Sequence, residues 1–365
     1  MTKVGVIYNI PSPYREGFFE QLNIVSDIEY YIFYCSYNKP GRNWNIIFGN
    51  YKYKIMNGIE LFNGKFLNIE VIRNFKKYDL DAVIIAGYAY PTALISFISA
   101  KIFNIPIILW SASAYGLKNK KNNIFYHHIK KFLVKISDGY IVPGEQAKKQ
   151  IMFLGGNELN VFKVPFNSLN NSWFQQNLNH QIFNKRYFNI LYVGRLIRDK
   201  GIHTLIRAIS FIKENDVLLH IVGDGPFQNE LKQLKLYLNC SNVIFHGNIN
   251  HNDLIKYYAS ADLFILPTLK DEWPLVLLEA MSSCLPIITT NNVGSIPDLL
   301  YDYPFIINAN DDPNELKQKI IEYRQLDVNT KSKICNMLYN RSKHYSHENA
   351  AYCFDSSIKI LLNIH

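Results

Sequence analysis

The chain is short of cysteine. Five are scattered over 365 residues, at Cys35, Cys240, Cys284, Cys335 and Cys353. The number is odd and no two lie within four residues of each other. That excludes a disulfide framework and the paired spacing of a zinc site, and it points to a reducing compartment. Proline (14) and glycine (18) are too few for a collagenous or low-complexity chain. Charged residues are 19% against 48% hydrophobic, which excludes a disordered chain. Long apolar runs are also scarce. The start, MTKVGVIYNIPSP, breaks at Pro11 and does not read as a signal peptide. The exception is 82–100, AVIIAGYAYPTALISFISA, which carries no charge. Gly87 and Pro91 divide it into a β-branched run, a turn and a helix opened by proline. It is therefore read as buried sheet and helix rather than as a membrane span.

Aromatic residues are plentiful, with 25 Tyr and 23 Phe, so a sizeable core is easily built. Net charge is +9 and unevenly placed. Residues 1–170 hold 20 Lys and Arg against 11 Asp and Glu, whereas residues 171–365 hold 19 of each. The basic first half predicts an acidic partner: anionic lipid, a phosphorylated substrate or nucleic acid. No recognition helix or aromatic-basic strand pattern supports nucleic acid.

The length predicts about two domains. Apolar strands at 3–9, 29–35, 82–86, 106–110, 139–142 and 161–164 alternate with helices at 15–24, 91–103, 124–136 and 146–153. Strands joined by crossover helices make a doubly wound parallel sheet. Residues 167–185, rich in Asn and Gln, read as a linker with an aromatic anchor at Trp173 and Phe174. The alternation then restarts. Strands are expected at 189–193, 217–222, 243–246, 263–266 and 286–290, and helices at 201–215, 228–238, 252–260, 275–282, 314–325 and 347–363. The expected domains are 1–170 and 185–345, with the last helix, about 347–365, packing back on the first. A cleft between two such domains is the default binding site.

Three segments of the second half carry chemistry. In ILYVGRLIRDKG (190–201), a strand ends in Gly194, and Arg195 and Lys200 follow before a helix. An arginine fork and a lysine point charge at a strand–helix turn suit a diphosphate. In HIVGDGP (220–226), Gly223 and Gly225 flank Asp224. They lack the third glycine of a dinucleotide fingerprint and read first as a tight turn, one that would also let backbone approach a nucleotide closely. In LFILPTLKDEWPLVLLEAMSSCLPIITT (263–290), Asp271 and Glu272 precede a helix whose first amides, at Leu275 and Val276, form an anion site. Glu279, set among Leu277, Leu278, Ala280 and Met281, needs a partner, and ribose hydroxyls would serve.

In this order the three segments resemble the donor domain of glycosyltransferase family 4, retaining nucleotide-sugar enzymes of the GT-B fold. The resemblance is strong over about 189–300. It is weaker over IPSPYREGFFEQL (10–22) and GYAYPTALISFISAKIFNIPIILWSAS (87–113), which look like bacterial surface-polysaccharide members. It implies two Rossmann-like doubly wound domains facing each other across a cleft. It implies that Arg195 and Lys200 hold the donor diphosphate and that Glu279 binds ribose. Asp271 then stands as the sugar-facing acid, with Glu272 a weaker stand-in. Donor contacts would include Gly194, Gly223, Gly225, Leu275 and Val276, with Pro13, Tyr14 and Arg15 on the acceptor side. Many family members carry His or Glu where this chain has Ala112, so a mechanism centred on that position is not expected.

The remaining motifs have plainer readings. Asp79-Leu80-Asp81 precedes a buried strand and reads as a solvated turn rather than a metal–nucleotide site. His127 and His128 have no further ligand in register. His203, on a helix after the phosphate loop, reads as structural or solvent-facing. Lys118, Lys120, Lys121, Lys130, Lys131 and Lys135 surround a helix whose Ile129, Phe132 and Ile136 suggest a core stripe, and the lysines suit anionic lipid. The residues together with the resemblance imply a metal-independent, cofactor-free glycosyltransferase, and the resemblance alone implies that it is retaining. It takes a nucleotide-sugar donor and a saccharide or lipid-linked acceptor in surface-glycan synthesis, such as capsule or lipopolysaccharide, as a cytoplasmic or peripheral membrane protein. The rivals are a GT-B epimerase or hydrolase and an idle sugar-nucleotide binder.

Overall fold

A computed structural model describes residues 1–38, 46–62, 64–88, 90–117, 124–165, 181–214 and 216–364. The chain divides into two compact units, Met1–Ser168 with Tyr345–His365, and Leu169–His344. Lys118, Lys120, Lys121, Trp173, Phe174 and most of the 167–185 segment lie outside the described residues.

The first unit holds β1 (Lys3–Tyr8), β2 (Glu29–Tyr34), β3 (Tyr53–Ile55), β6 (Ala82–Ala86), β7 (Ile107–Trp110), β8 (Gly139–Val142) and β9 (Val161–Lys163) in one sheet, with a hairpin of β4 (Ile59–Phe62) and β5 (Lys65–Leu67) beside it. The sheet order is β3-β2-β1-β6-β7-β8-β9 and every pairing is parallel. The crossovers run through α1 (Pro13–Val25), α2 (Glu70–Lys77), α3 (Pro91–Ile102), α4 (Ile124–Lys135) and α5 (Glu145–Phe153). The apolar run at 82–100 splits, as its Gly and Pro require, into β6 and the start of α3. Among the described residues no helix is long and apolar enough to cross a membrane.

The second unit repeats the design. Its strands are β10 (Phe188–Val193), β11 (Val217–Val222), β12 (Val243–Gly247), β13 (Leu263–Leu266), β14 (Ile287–Thr290) and β15 (Ile306–Ile307). They are ordered β12-β11-β10-β13-β14-β15, all parallel. Its helices are α6 (Ile202–Ser210), α7 (Gln228–Tyr237), α8 (His251–Ser260), α9 (Leu275–Ser282), α10 (Ile296–Leu299), α11 (Pro313–Gln325) and α12 (Val328–Ser342). The molecule is thus an α/β protein of two Rossmann-like domains.

The last helix, α13 (His347–Leu362), belongs to the first unit. Phe354 packs edge-on to Phe18 of α1, and Asp355 accepts from Ser26 and from the Tyr30 hydroxyl. Lys359 pairs with Asp27. Burial of Phe18, Phe19, Phe354 and Ile358 removes four large apolar side chains from water, on the order of 1.5–3 kcal/mol each.

Seven described elements escape the expected pattern: β3, β4, β5, α2, β15, α10 and α12. β3 is a three-residue strand exposed along one face, α2 is a single two-turn helix, and β15 has two residues. α12 hides in a polar stretch because only Ile334, Leu338 and Ser342 turn inward. The helix expected over 201–215 stops at Ser210. Of the core stripe expected on α4, Ile129 and Ile136 do pack against the core beside the buried Leu133 and Val134, but Phe132 is 61% exposed.

Candidate active site

In an open parallel sheet, ligands gather outside the carboxyl ends of the strands where the strand order reverses. In the second unit that point lies between β10 and β13. β10 runs straight into Gly194 and Arg195, and β13 into Pro267 and Thr268. The two exits are sewn together. Asp199 carbonyl oxygen accepts from the Leu269 N–H at 2.8 Å and from the Thr268 hydroxyl at 3.0 Å. Gly201 caps this loop with φ +67°, and a Cβ there would overlap the Pro267 carbonyl. No other residue lets the loop close this tightly.

The seam brings Lys200 and Asp271 into an ion pair, both partly buried. Asp271 is also fixed by its backbone. Its N–H donates to Asn292, its carbonyl accepts from Gly294, and it bridges to Val293. Arg195 stands exposed on the same loop, and the Tyr192 hydroxyl donates to its carbonyl at 3.2 Å. Leu275 and Val276, partly exposed, open α9, and as first-turn residues their N–H groups have no acceptor within the helix. Glu272 is exposed.

Glu279 follows one turn along α9, 1% exposed among Leu277, Leu278, Ala280 and Met281. The Tyr258 hydroxyl of α8 donates to Oε2 at 2.6 Å, and Oε1 is buried without a partner among the described residues. Burial pushes its carboxyl up to about 7, with the Tyr258 bond opposing. A carboxyl in this state lacks one hydrogen-bond donor, the deficit that a hydroxyl-rich ligand would fill.

Gly223 and Gly225 sit in tight packing at the turn read from the sequence. A Cβ on Gly223 would overlap the Gly194 carbonyl, and one on Gly225 the Leu196 carbonyl. Loop-to-loop packing at the ends of β10 and β11 therefore requires these glycines. Tyr258 was not legible as a site residue. Its inward place on α8 follows from period, but nothing in sequence links it to an acid 21 positions later.

The other candidates resolve simply. Asp79 takes φ +51° in a turn, and Asp81 accepts from the Lys3 N–H at 2.8 Å. His203 is buried, 2.9 Å from Asp311. Among the described residues no cluster of three or more His, Cys, Asp or Glu could hold a metal ion. An open pocket of about 620 Å³ under α8 contains none of the expected site residues. There Phe183 stacks on His220 at 3.7 Å. His220 Nε2–H donates to Asn189 Oδ1, whose Nδ2 is already donating to Asn184 and Tyr187. His220 Nδ1 must then accept from His246 Nε2–H at 3.0 Å. Burial holds both imidazoles below the usual range, His220 at about 4.

In the first unit the corresponding reversal lies between β1 and β6. Arg15, expected to face an acceptor, is 2% exposed. Its guanidinium lies 4.5 Å from the Trp110 ring centroid, and Nε–H donates to the Tyr8 hydroxyl at 2.9 Å. It is an interior residue, and of the expected acceptor set only Pro13 and Tyr14 keep partial exposure. Glu16 accepts from the Tyr51 hydroxyl at 2.7 Å, and burial raises its carboxyl. Ala112 follows Trp110 and Ser111 and brings no ionisable group.

Residues 174–343 match the family model described as glycosyl transferases group 1. An uncharacterized glycosyltransferase of Methanocaldococcus jannaschii is 26% identical over 82% of this chain and 80% of its own length. A capsular polysaccharide biosynthesis glycosyltransferase of Staphylococcus aureus is 26% identical over 60% of this chain and 61% of its own. Among solved structures, Anabaena HepE in complex with UDP and glucose superposes with a TM-score of 0.76 at 14% identity. That match covers 99% of this chain and 100% of that one. The fold is the GT-B fold of such glycosyltransferases.

Proposed function

We propose that the chain is a retaining glycosyltransferase of family 4 that moves a sugar from a nucleotide-sugar donor to a saccharide or lipid-linked acceptor in surface-glycan synthesis. One observation carries this reading. At the strand-order reversal of the second unit, Lys200 and Asp271 meet beside the exposed Arg195 and the open amides of α9, one turn from a buried carboxyl with an unfilled oxygen. Cations and amides suit a diphosphate, Asp271 suits sugar hydroxyls, and Glu279 suits a ribose. The UDP held by HepE makes UDP-sugars the first donors to try, and the capsular relative supports a surface glycan as the product.

In the proposed reaction, the bond from the anomeric carbon to the donor diphosphate oxygen breaks and a bond from the acceptor oxygen forms on the same face. The acceptor proton passes to the departing diphosphate oxygen. Ala112 supplies no base or nucleophile, which favours this front-face route over a covalent one. Arg195 and Lys200 stabilise charge as it grows on the diphosphate. Lys200 must first exchange Asp271 for the diphosphate, which frees Asp271 for the sugar. The charge partners are all protein groups, so no metal or other cofactor is required. The acceptor falls to the basic first unit, around Pro13 and Tyr14, and the protein works in the cytoplasm or at its membrane.

The test is to incubate the protein with nucleotide sugars, with and without acceptor glycans, and read nucleotide release and product configuration by NMR. Acceptor-dependent release with a retained anomeric configuration, insensitive to chelator, is the expected result. Release without acceptor would replace the transferase by a hydrolase, and an inverted product would require a protein base.

A further inference from the structure

The pocket of about 620 Å³ under α8 is a second concave site on the unit that carries the donor residues. Its volume is that of a small-molecule site, about 300–1,000 Å³. All of its lining residues lie between Ile182 and Tyr257, and none is a residue assigned above to the donor. One wall is pinned. The Ile182 N–H donates to Ser260 Oγ at 2.8 Å, and Gln181 Nε2–H donates to the Ala259 carbonyl at 3.0 Å. These bonds hold Phe183 flat on His220, so the wall is preformed.

Three properties define what would fit. The first is charge. Two charged side chains line the pocket, Asp253 and Lys256, and they pair with each other at 2.7 Å. Asn250 Nδ2–H also donates to Asp253, at 2.6 Å. Burial keeps His220 and His246 below the usual imidazole range and therefore neutral. The lining thus leaves no net cation for a phosphate and no free carboxylate for an amine.

The second is polar capacity. The tautomer chain described above ends at His246. Its Nε2–H is spent on His220, so Nδ1 carries a bare lone pair, and no described residue donates to it. The Tyr257 hydroxyl likewise has no partner among the described residues. The pocket therefore offers a neutral ligand an acceptor and a hydroxyl, together with the side-chain amide of the exposed Asn248.

The third is ring geometry. Phe183 lies at 8° to His220, and His220 at 27° to His246. Tyr257 stands across them, at 79° to both Phe183 and His246, with centroid separations of 5.6 and 5.0 Å. The rings make a corner, whereas a flat nucleobase stacks on parallel faces. A pyranose suits a corner. Its C–H face can lie on one ring while the hydroxyls around its rim reach polar groups at the side.

We infer that this pocket is a saccharide-binding site, taking one neutral sugar ring among Phe183, Tyr257 and His246. The proposal deepens the glycan-acceptor reading above and rests on it for its purpose: a ring of the acceptor or product glycan would be held here, apart from the donor residues. The pocket itself stands on its own residues.

The experiment is saturation-transfer NMR on the full chain with glucose, galactose, N-acetylglucosamine and lactose, the nucleotide site being filled with UDP. At least one of these sugars should bind with a millimolar dissociation constant, and inorganic phosphate should not compete. Tyr257→Ala should weaken binding by about tenfold or more, the scale of a lost ring and its hydroxyl. Tyr257→Phe should weaken it by about two- to tenfold, the scale of one hydrogen bond. Asn248→Ala, an exposed change that leaves the rings in place, should have a similar effect. UDP affinity by calorimetry should be unchanged in all three variants. No binding by any of the four sugars at about 50 mM, or binding unchanged in both Tyr257→Phe and Asn248→Ala, would overturn the proposal. So would uridine binding to the UDP-filled protein that Tyr257→Ala abolishes while sugars are ignored, because the corner would then be a base site. A parent protein that does not bind UDP would sink the transferase reading, and the sugar titration repeated without UDP would still decide the pocket.

Discussion

The two sheets share a topology but use their carboxyl ends differently. In the second unit, glycines let the exits of β10 and β11 pack against each other, and the seam between β10 and β13 keeps charge at the surface: Arg195 exposed, Lys200 and Asp271 paired. In the first, aromatic rings fill the equivalent place, and Arg15 is swallowed between Tyr8 and Trp110. A parallel sheet supplies the location of a site. Whether the location holds chemistry depends on whether its charges are left within reach of a ligand.

Four substitutions would break or sharpen that contrast. The largest effect is expected from Lys200→Ala, which should cut sugar transfer by roughly 10²–10³-fold, the scale of losing one preorganised donor. Steady-state rates would check it, and a rate within twofold of the parent would remove Lys200 from the reaction. Arg15→Ala, at the matching place in the first unit, should act on stability instead. Emptying a buried, ring-stacked site should cost about 2–4 kcal/mol, visible as a lower melting temperature with nucleotide affinity retained. A stable Arg15→Ala protein with impaired transfer would erase the difference between the units.

Glu279 provides a pH test. Its folded carboxyl, at about 7, lies above the ordinary value of 4.5. Between those values the folded state holds the proton that the unfolded chain has lost, so stability falls as pH rises through the window. Glu279→Gln removes that loss. It should be more stable than the parent by about 3 kcal/mol at pH 8 and equal to it at pH 4, measured by denaturant unfolding at both values. A constant difference at the two pH values would mean that Glu279 is not titrating in the folded protein. The smallest effect belongs to Tyr258→Phe. Losing one hydrogen bond to the carboxyl should weaken nucleotide diphosphate binding by about 1–2 kcal/mol. It should also raise the pH below which Glu279 is protonated. Calorimetry across pH would show both, and a pH profile identical to the parent would leave Tyr258 a packing residue.

Much of this molecule is legible before folding because its signals are local. Apolar runs bounded by Gly and Pro mark β6 and α3, and the short β-branched segments of both units mark buried parallel strands. Arg195, Lys200, Asp271 and Glu279 stand out as charges at strand exits or in an apolar helix. What was missed lacks such contrast: β3 is three residues at a sheet edge, and α12 turns only every fourth residue inward.

The sequence alone therefore determined the alternation of strands and helices, the restart that makes two units, and the residue types available at each turn. It did not decide which charges stay in contact with solvent. Arg15 and Lys200 read alike as basic residues after a strand. Only tertiary packing buries the first on Trp110 and presents the second with Asp271, and only packing turns Phe132 out of the stripe to which its spacing assigned it. Exposure and pairing arise from side chains far apart in the chain, and local pattern holds no record of those distances.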